Sequence, residues 1–199
     1  MPTETRSRLA SSIFALAALL AAGPAFAGGY VSAQVGGFAP WHGNAGVMTS
    51  IQVMGSNASG RSRWGGEFEY RGYERTVLGV NDVDASSYVL RGMWQYHFRP
   101  DALATPYLGL GLGVTINDVD DDKVDDALGF NARDPVGAGL DGIFLLGVAM
   151  NIPGAEYMSI FAEGRVGLAF DAAGEGSSND VDFDNVGGAS GSAGLRFRF

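Results

Sequence analysis

The eleven residues from Ala189 to Phe199 alternate in character with a period of two. One face carries Ala189, Gly191, Ala193, Leu195, Phe197 and Phe199; the other carries Ser190, Ser192, Gly194, Arg196 and Arg198. Successive side chains of an extended strand point to opposite sides, so this segment is a strand with one apolar and one charged face. At a sheet edge in water, such a strand ending in two aromatics would invite aggregation. In a closed sheet facing lipid it is ordinary, because the aromatics sit at the membrane interface and the arginines turn inward.

The other end of the chain agrees. Arg6 and Arg8 precede a largely apolar run from Leu9 to Ala22, and Ala25-Phe26-Ala27 is a small-x-small cleavage site. That is the anatomy of a secretory signal peptide. The run falls short of the roughly 20 apolar residues that a spanning helix needs. Two regions are therefore expected, a cleaved signal over residues 1–27 and a single β domain over residues 28–199. Removing Glu4, Arg6 and Arg8 from the 13 basic and 22 acidic residues leaves 11 and 21, a net charge of −10, which argues against nucleic acid as a partner. There is no cysteine, so disulfides do not staple the fold. No later segment is apolar for long enough to form a membrane helix; the best, Gly142 to Met150, has about half the required length.

Eight strands are predicted, over Tyr30–Phe38, Asn44–Gly55, Arg63–Tyr73, Ser86–Phe98, Pro106–Asn117, Leu140–Ile152, Tyr157–Phe170 and Gly188–Phe199. Four have clean faces. The third sets Trp64, Phe68 and Tyr70 against Arg63, Glu67, Glu69 and Arg71. The fourth sets Tyr88, Leu90, Trp94, Tyr96 and Phe98 against Ser87, Arg91, Gln95 and His97. The fifth sets a row of Leu108, Leu110, Leu112, Val114 and Ile116 against Gly109, Gly111, Gly113 and Thr115. The seventh sets Ile160, Ala162, Val166, Leu168 and Phe170 against Ser159, Glu163, Arg165 and Gly167. The sixth contains Ile143-Phe144-Leu145-Leu146, apolar on both faces, and its pattern does not orient it.

A soluble barrel would turn its charged face to water, with lysines scattered outside; residues 28–199 contain one lysine, Lys123. Aromatics gather instead near strand ends, with Tyr96, Phe98, Tyr107, Phe197 and Phe199 expected at one rim and Phe38, Tyr70, Tyr88 and Phe170 at the other. Two aromatic girdles around an aliphatic band describe a membrane barrel. The bilayer also demands closure, since lipid cannot satisfy an open sheet edge. The connections agree in the main: Ser56–Ser62, Arg99–Thr105 and Pro153–Glu156 are short, whereas Glu74–Ala85, Asp118–Gly139 and Asp171–Gly187 are long and acidic; the one after strand one is short. Short periplasmic turns and longer extracellular loops follow the outer-membrane rule.

The signal, the eight period-two strands, the loop asymmetry and the terminal Leu195-Arg-Phe-Arg-Phe199 together resemble the small eight-stranded outer-membrane barrels of the OmpA/OmpX type. The resemblance covers residues 28–199. It implies an all-β, antiparallel, up-and-down transmembrane barrel in the outer membrane of a Gram-negative bacterium. Outer-membrane lipid, lipopolysaccharide and the barrel assembly machinery are the implied partners, with a host or surface ligand for the loops. A monomer is expected. Larger members of the family add a periplasmic peptidoglycan-binding domain after the last strand; this chain stops at that strand, so the resemblance does not imply that role.

Eight strands enclose a lumen just wide enough for side chains to fill. The inward set is expected to hold Arg63, Glu67, Glu69, Arg71, Arg91, His97, Glu163, Arg165, Arg196 and Arg198. Charges of both signs there suit a paired plug, and a structural or surface-interaction role without catalysis ranks first. A narrow ion path lined by the same residues is the alternative, and the surplus of arginine near the periplasmic rim keeps anion selectivity in view. A lipid-modifying enzyme ranks third. Lipid A deacylases need a His-x-Ser pair, which His42-Gly-Asn44 and His97-Phe-Arg99 both lack. His42 with Asp84, Ser86 or Ser87 imitates the loop set of the palmitoyltransferases, but their leading amphipathic helix has no counterpart before Tyr30.

The three long loops each carry Asn-Asp-Val-Asp, at Asn81–Asp84, Asn117–Asp120 and Asn179–Asp182. Asp82, Asp84, Asp118, Asp120, Asp180 and Asp182 are thus candidate ligands for a weakly held calcium or magnesium, because hard cations take several carboxylate oxygens. No other cofactor is expected. The residues do not form an EF-hand, since Lys123 and Gly129 occupy the positions that need Gly and Glu. A solvated acidic surface is the competing reading.

Overall fold

The computed structural model describes residues 28–41, 43–77, 80–119, 137–171 and 187–199. The expected signal, His42 and Asp120, Asp180 and Asp182 lie outside them. Eight strands run in chain order: β1 Gly29–Pro40, β2 Asn44–Ser56, β3 Ser62–Val77, β4 Val80–His97, β5 Ala104–Val119, β6 Gly137–Ile152, β7 Ala155–Asp171 and β8 Gly188–Arg198. Each pairs antiparallel with its neighbours, and β8 pairs back onto β1, closing the barrel. Among the described residues no helix is long and apolar enough to cross a membrane.

Register sets the shape. Paired residues followed once around the wall run from Tyr30 through Met54, Gly65, Met93, Gly111, Ile143, Gly167 and Gly188, and return to β1 at Pro40. The closing step therefore lands ten residues further along β1. With a rise of about 3.3 Å per residue and about 4.8 Å between strands, that displacement tilts the strands by about 40°. A barrel of this size has no room for a wide channel, so inward side chains must pack against one another.

The wall and the lumen separate cleanly. Leu110, Leu112, Val114, Val166, Leu168 and Leu195 are exposed on the outside, while Glu67, Glu69, Arg91, Glu163, Arg165 and Arg196 are buried within. Aromatic pairs stand at the two ends of the outer band. Trp64 faces Trp94 across the β3–β4 ladder with ring centroids 5.9 Å apart, and Tyr96 meets Phe98 at 5.4 Å. At the other end, Tyr70 faces Tyr88 at 5.4 Å. The ten residue steps from Tyr88 to Phe98 span about 25 Å along the barrel axis at this tilt, the height of a bilayer-facing apolar band.

Three expectations change. Phe38 and Tyr107, read as girdle residues, are buried in the lumen. Their parity explains it: Phe38 shares its face with Tyr30, Ser32 and Gln34, and Tyr107 shares its face with Gly109 and Gly111. Second, Glu74–Ala85 is largely not a loop. β3 continues to Val77 and β4 begins at Val80, so a β-hairpin stands about 18 Å beyond Tyr70. A register shift between Arg75 and Val77 and a left-handed Asp82 (φ 58°) mark a bulge near its tip, a conformation that Asp tolerates better than most residues. Third, β6 acquires an orientation: Asp141, Ile143, Leu145 and Ala149 point inward, and Leu140, Phe144, Leu146 and Val148 face out. The side chain of Phe170 lies outside the described residues.

The β6–β7 turn is two residues, Pro153 and Gly154, with Gly154 at φ +82°, where a Cβ would strain the backbone. Gly147 on β6 is needed for a different reason. A Cβ built there would stand 2.5 Å from the Tyr107 ring and 2.9 Å from the carbonyl oxygen of Ala162. Gly147→Val is expected to destabilise the barrel by about 1–3 kcal/mol through overpacking. Urea titration in detergent micelles measures it, and an unshifted midpoint would show that Tyr107 has another place to go.

Candidate functional site: a charged lattice across the lumen

Six of the ten predicted inward residues meet in one lattice at mid-height. β3 supplies Glu67, Glu69 and Arg71, β4 supplies Arg91, and β7 supplies Glu163 and Arg165, each projecting inward because strand residues of one parity share a face. β6 adds Asp141, which the ambiguous pattern of that strand concealed. Arg91 is the hub: it binds Glu67 at 3.1 Å and Glu69 at 3.0 Å, and its Nε donates to Asp141. Arg71 binds Glu69 at 2.5 Å and Asp141 at 3.3 Å. Arg165 binds Glu67 at 2.7 Å, Glu69 at 2.6 Å and Glu163 at 2.8 Å.

Neutral donors complete it. The Ser50 hydroxyl donates to Glu67 at 2.7 Å, and the Gln34 and Gln52 amides each donate to the same oxygen at 3.2 Å. Ser192 donates to Gln34 at 2.9 Å, and the Tyr107 hydroxyl donates to Glu163 at 2.7 Å. Every strand of the barrel thus contributes at least one side chain. Charged groups buried this deeply are tolerable only when paired and hydrogen-bonded, and here each carboxylate has a guanidinium against it. The Arg165–Glu69 contact carries the geometry furthest. β7 and β3 are four strands apart in an eight-stranded barrel, so that bond crosses the full diameter.

Toward the end of the barrel that carries the short turns lies an apolar floor containing Tyr30, Met54, Met93, Tyr107, Leu145 and Phe161. Arg196 is buried in it with no carboxylate within ion-pair distance among the described residues, its guanidinium carbon 4.0 Å from the Tyr30 ring centroid, 4.8 Å from Phe161 and 5.1 Å from Tyr107. Aromatic faces stabilise a cation by their quadrupoles. His97 stacks on Tyr107 at 4.7 Å and meets Gln95 through Nε2, which places it in the lumen floor. Toward the other end, Tyr73, Ser87 and Asn117 form a polar group, with Ser87 bonded to Asn117 at 2.7 Å.

The candidate cation ligands divide. Asp82 and Asp84 stand on β4 and Asp118 on β5, on strands where loops were expected. Asn44 donates to Glu74 at 3.2 Å and to Asp82 at 3.1 Å, tying the hairpin to the start of β2. Among the described residues, no three acidic or histidine side chains converge as a metal site would require. Asp120, Asp180 and Asp182 lie outside those residues.

A closed eight-stranded antiparallel barrel with an aliphatic outer wall, aromatic girdles and a charged lumen has the fold of a transmembrane β-barrel. Solved structures agree. The chain is similar to Neisserial surface protein A (TM-score 0.59, 20% identity, covering 86% of this chain and 96% of that one). It is also similar to the outer membrane protein OprG from Pseudomonas aeruginosa (TM-score 0.58, 15% identity, covering 87% and 97%). At these identities the likeness shows the fold of small outer-membrane barrels. No family model and no curated protein matches the chain.

Proposed function

We propose that this chain is an outer-membrane barrel closed to ions, which serves as a rigid platform for its surface segments in a structural or surface-interaction role without catalysis. The Arg165–Glu69 bond across the barrel diameter carries the reading, because a lumen bridged by buried ion pairs at mid-height has no room for a hydrated ion beside them. Secretion through a signal cleaved after Ala27, insertion by the barrel assembly machinery, and a surround of phospholipid and lipopolysaccharide belong to the same reading. The β3–β4 hairpin, together with the acidic segments that follow β5 and β7 in the sequence, is then the surface available to a ligand outside the cell.

Planar bilayers test it. The purified barrel should insert without producing single-channel steps at moderate voltage. A stable, ohmic conductance from the unmodified protein would replace this reading with that of a small pore.

A further inference from the structure

The periplasmic mouth of the lumen holds charge that the lattice does not use. Arg63, Arg196 and Arg198 gather there, and none has a carboxylate within ion-pair distance among the described residues, whereas Arg71, Arg91 and Arg165 higher up each have two or three. Arg63 and Arg196 approach one ring, Tyr30, at 5.1 and 4.0 Å, so their guanidinium centres lie within about 9 Å of each other. Their protein partners are few and neutral. Arg63 donates through Nε to the Gly60 carbonyl at 3.4 Å, Arg196 to the Tyr107 hydroxyl at 3.5 Å, and Arg198 to Asn151 at 2.6 Å.

A second observation converges on the same place. Six buried side-chain polar atoms among the described residues have no hydrogen-bond partner, and five belong to Ser32, His97, Ser159, Arg196 and Arg198, in the periplasmic part of the lumen. Buried polar atoms are nearly always satisfied; of these five, Arg198 Nε belongs to a residue that lines the mouth itself. Beside them is a recess of about 190 Å³ whose lining includes Arg63, Arg198, Gly29, Pro100 and Phe199. Asp101 also lines it, beyond ion-pair distance of either guanidinium. Like charges held together in a low-dielectric mouth repel one another. An anion there offsets that repulsion and supplies an acceptor to the idle Nε–H of Arg198.

We infer that this vestibule is a binding site for a phosphate-class oxyanion, held chiefly by Arg63 and Arg198 with Arg196 behind them. Guanidinium groups match phosphate oxygens with paired, charge-assisted hydrogen bonds, and a tetrahedral anion accepts them from several directions at once. The recess opens beside the exposed Phe199 ring at the membrane rim. The phosphate therefore comes either from a phospholipid headgroup of the inner leaflet or from a free phosphate in the periplasm. The site rests on the barrel's proposed orientation for its cellular source but not for its chemistry.

The test uses the folded barrel in a neutral detergent. Inorganic phosphate and monomeric dihexanoylphosphatidylglycerol are titrated separately, with sodium chloride at matched ionic strength as the reference, and heat of binding and thermal midpoint are read. Saturable binding of either probe, with a rise in midpoint that chloride does not reproduce, is expected. Inorganic phosphate binding identifies a free-anion site, and binding of the lipid alone identifies a headgroup site; both support the proposal. R63Q and R198Q should each weaken binding about tenfold or more while keeping the heat-dependent gel shift of a folded barrel. Should either variant fail to fold, the lysine replacements R63K and R198K, which keep the charge but lose the paired geometry, should still weaken binding. The proposal is overturned if neither probe exceeds chloride, or if the folded variants bind as tightly as the parent. Conductance reads the plug separately, so failure of this site leaves that reading standing, and a conducting barrel leaves this one.

Discussion

Arg91→Gln should destabilise the barrel by about 3–5 kcal/mol, because the substitution leaves buried carboxylates without their counter-charge. Arg91 alone contacts Glu67, Glu69 and Asp141. Without it, four carboxylates share two guanidinium groups, and Asp141 keeps only Arg71, at 3.3 Å. Burial converts this imbalance into a large effect, since a surface pair of the same residues would be worth about 0–1 kcal/mol. Urea unfolding in micelles, followed by tryptophan fluorescence, reads the change. Adding Asp141→Asn to Arg91→Gln should recover part of the loss, as expected for residues of one network. An Arg91→Gln barrel with an unchanged midpoint would mean that water reaches the lattice and solvates what the mutation exposes.

Leu110→Arg tests the outer wall. Leu110 is half exposed, flanked on the inward face of its strand by Gly109 and Gly111, and it stands between the two aromatic girdles. A charge at the bilayer midplane of a barrel costs about 2–4 kcal/mol, falling to about 0–1 near the interfaces. Leu110→Arg should lower stability by the larger amount in lipid vesicles. The same change at Leu103, exposed in the turn before β5, should do little. Equal and small effects at both positions would show that β5 does not face lipid.

The two experiments divide the molecule as the sequence did, into a lumen and a wall, but the sequence did not reach all of either. Period-two alternation identified the faces of β3, β4, β5 and β7, and it placed Glu67, Glu69, Arg91, Glu163 and Arg165 inward where the structure has them. The same rule, applied strictly, puts Phe38 and Tyr107 inward as well. Both lie near strand ends and have the chemistry of girdle residues, but the pleat fixes their side by parity. The β3–β4 hairpin was obscured by composition, since a charged, Gly-containing stretch resembles a loop even where it pairs as a ladder.

What the sequence by itself determined is which side of the wall most residues face, because the side-chain period of a strand is two whatever the strand pairs with. It left two things undecided. The run Ile143-Phe144-Leu145-Leu146 fits either orientation, and only a close-packed lumen admits Leu145 inside, with Asp141 beside Arg91 and Gly147 yielding to Tyr107. Register was the other. Sliding a strand by two residues keeps every side chain on its face, so alternation excludes odd shifts and is silent on even ones. The ten-residue displacement on closure is a property of all eight pairings together. It decides that Arg165 meets Glu69 across the barrel and that Arg63, Arg196 and Arg198 have no carboxylate within ion-pair distance among the described residues. Those partners are far apart in the chain, and no local pattern records a contact that exists only after the sheet has closed.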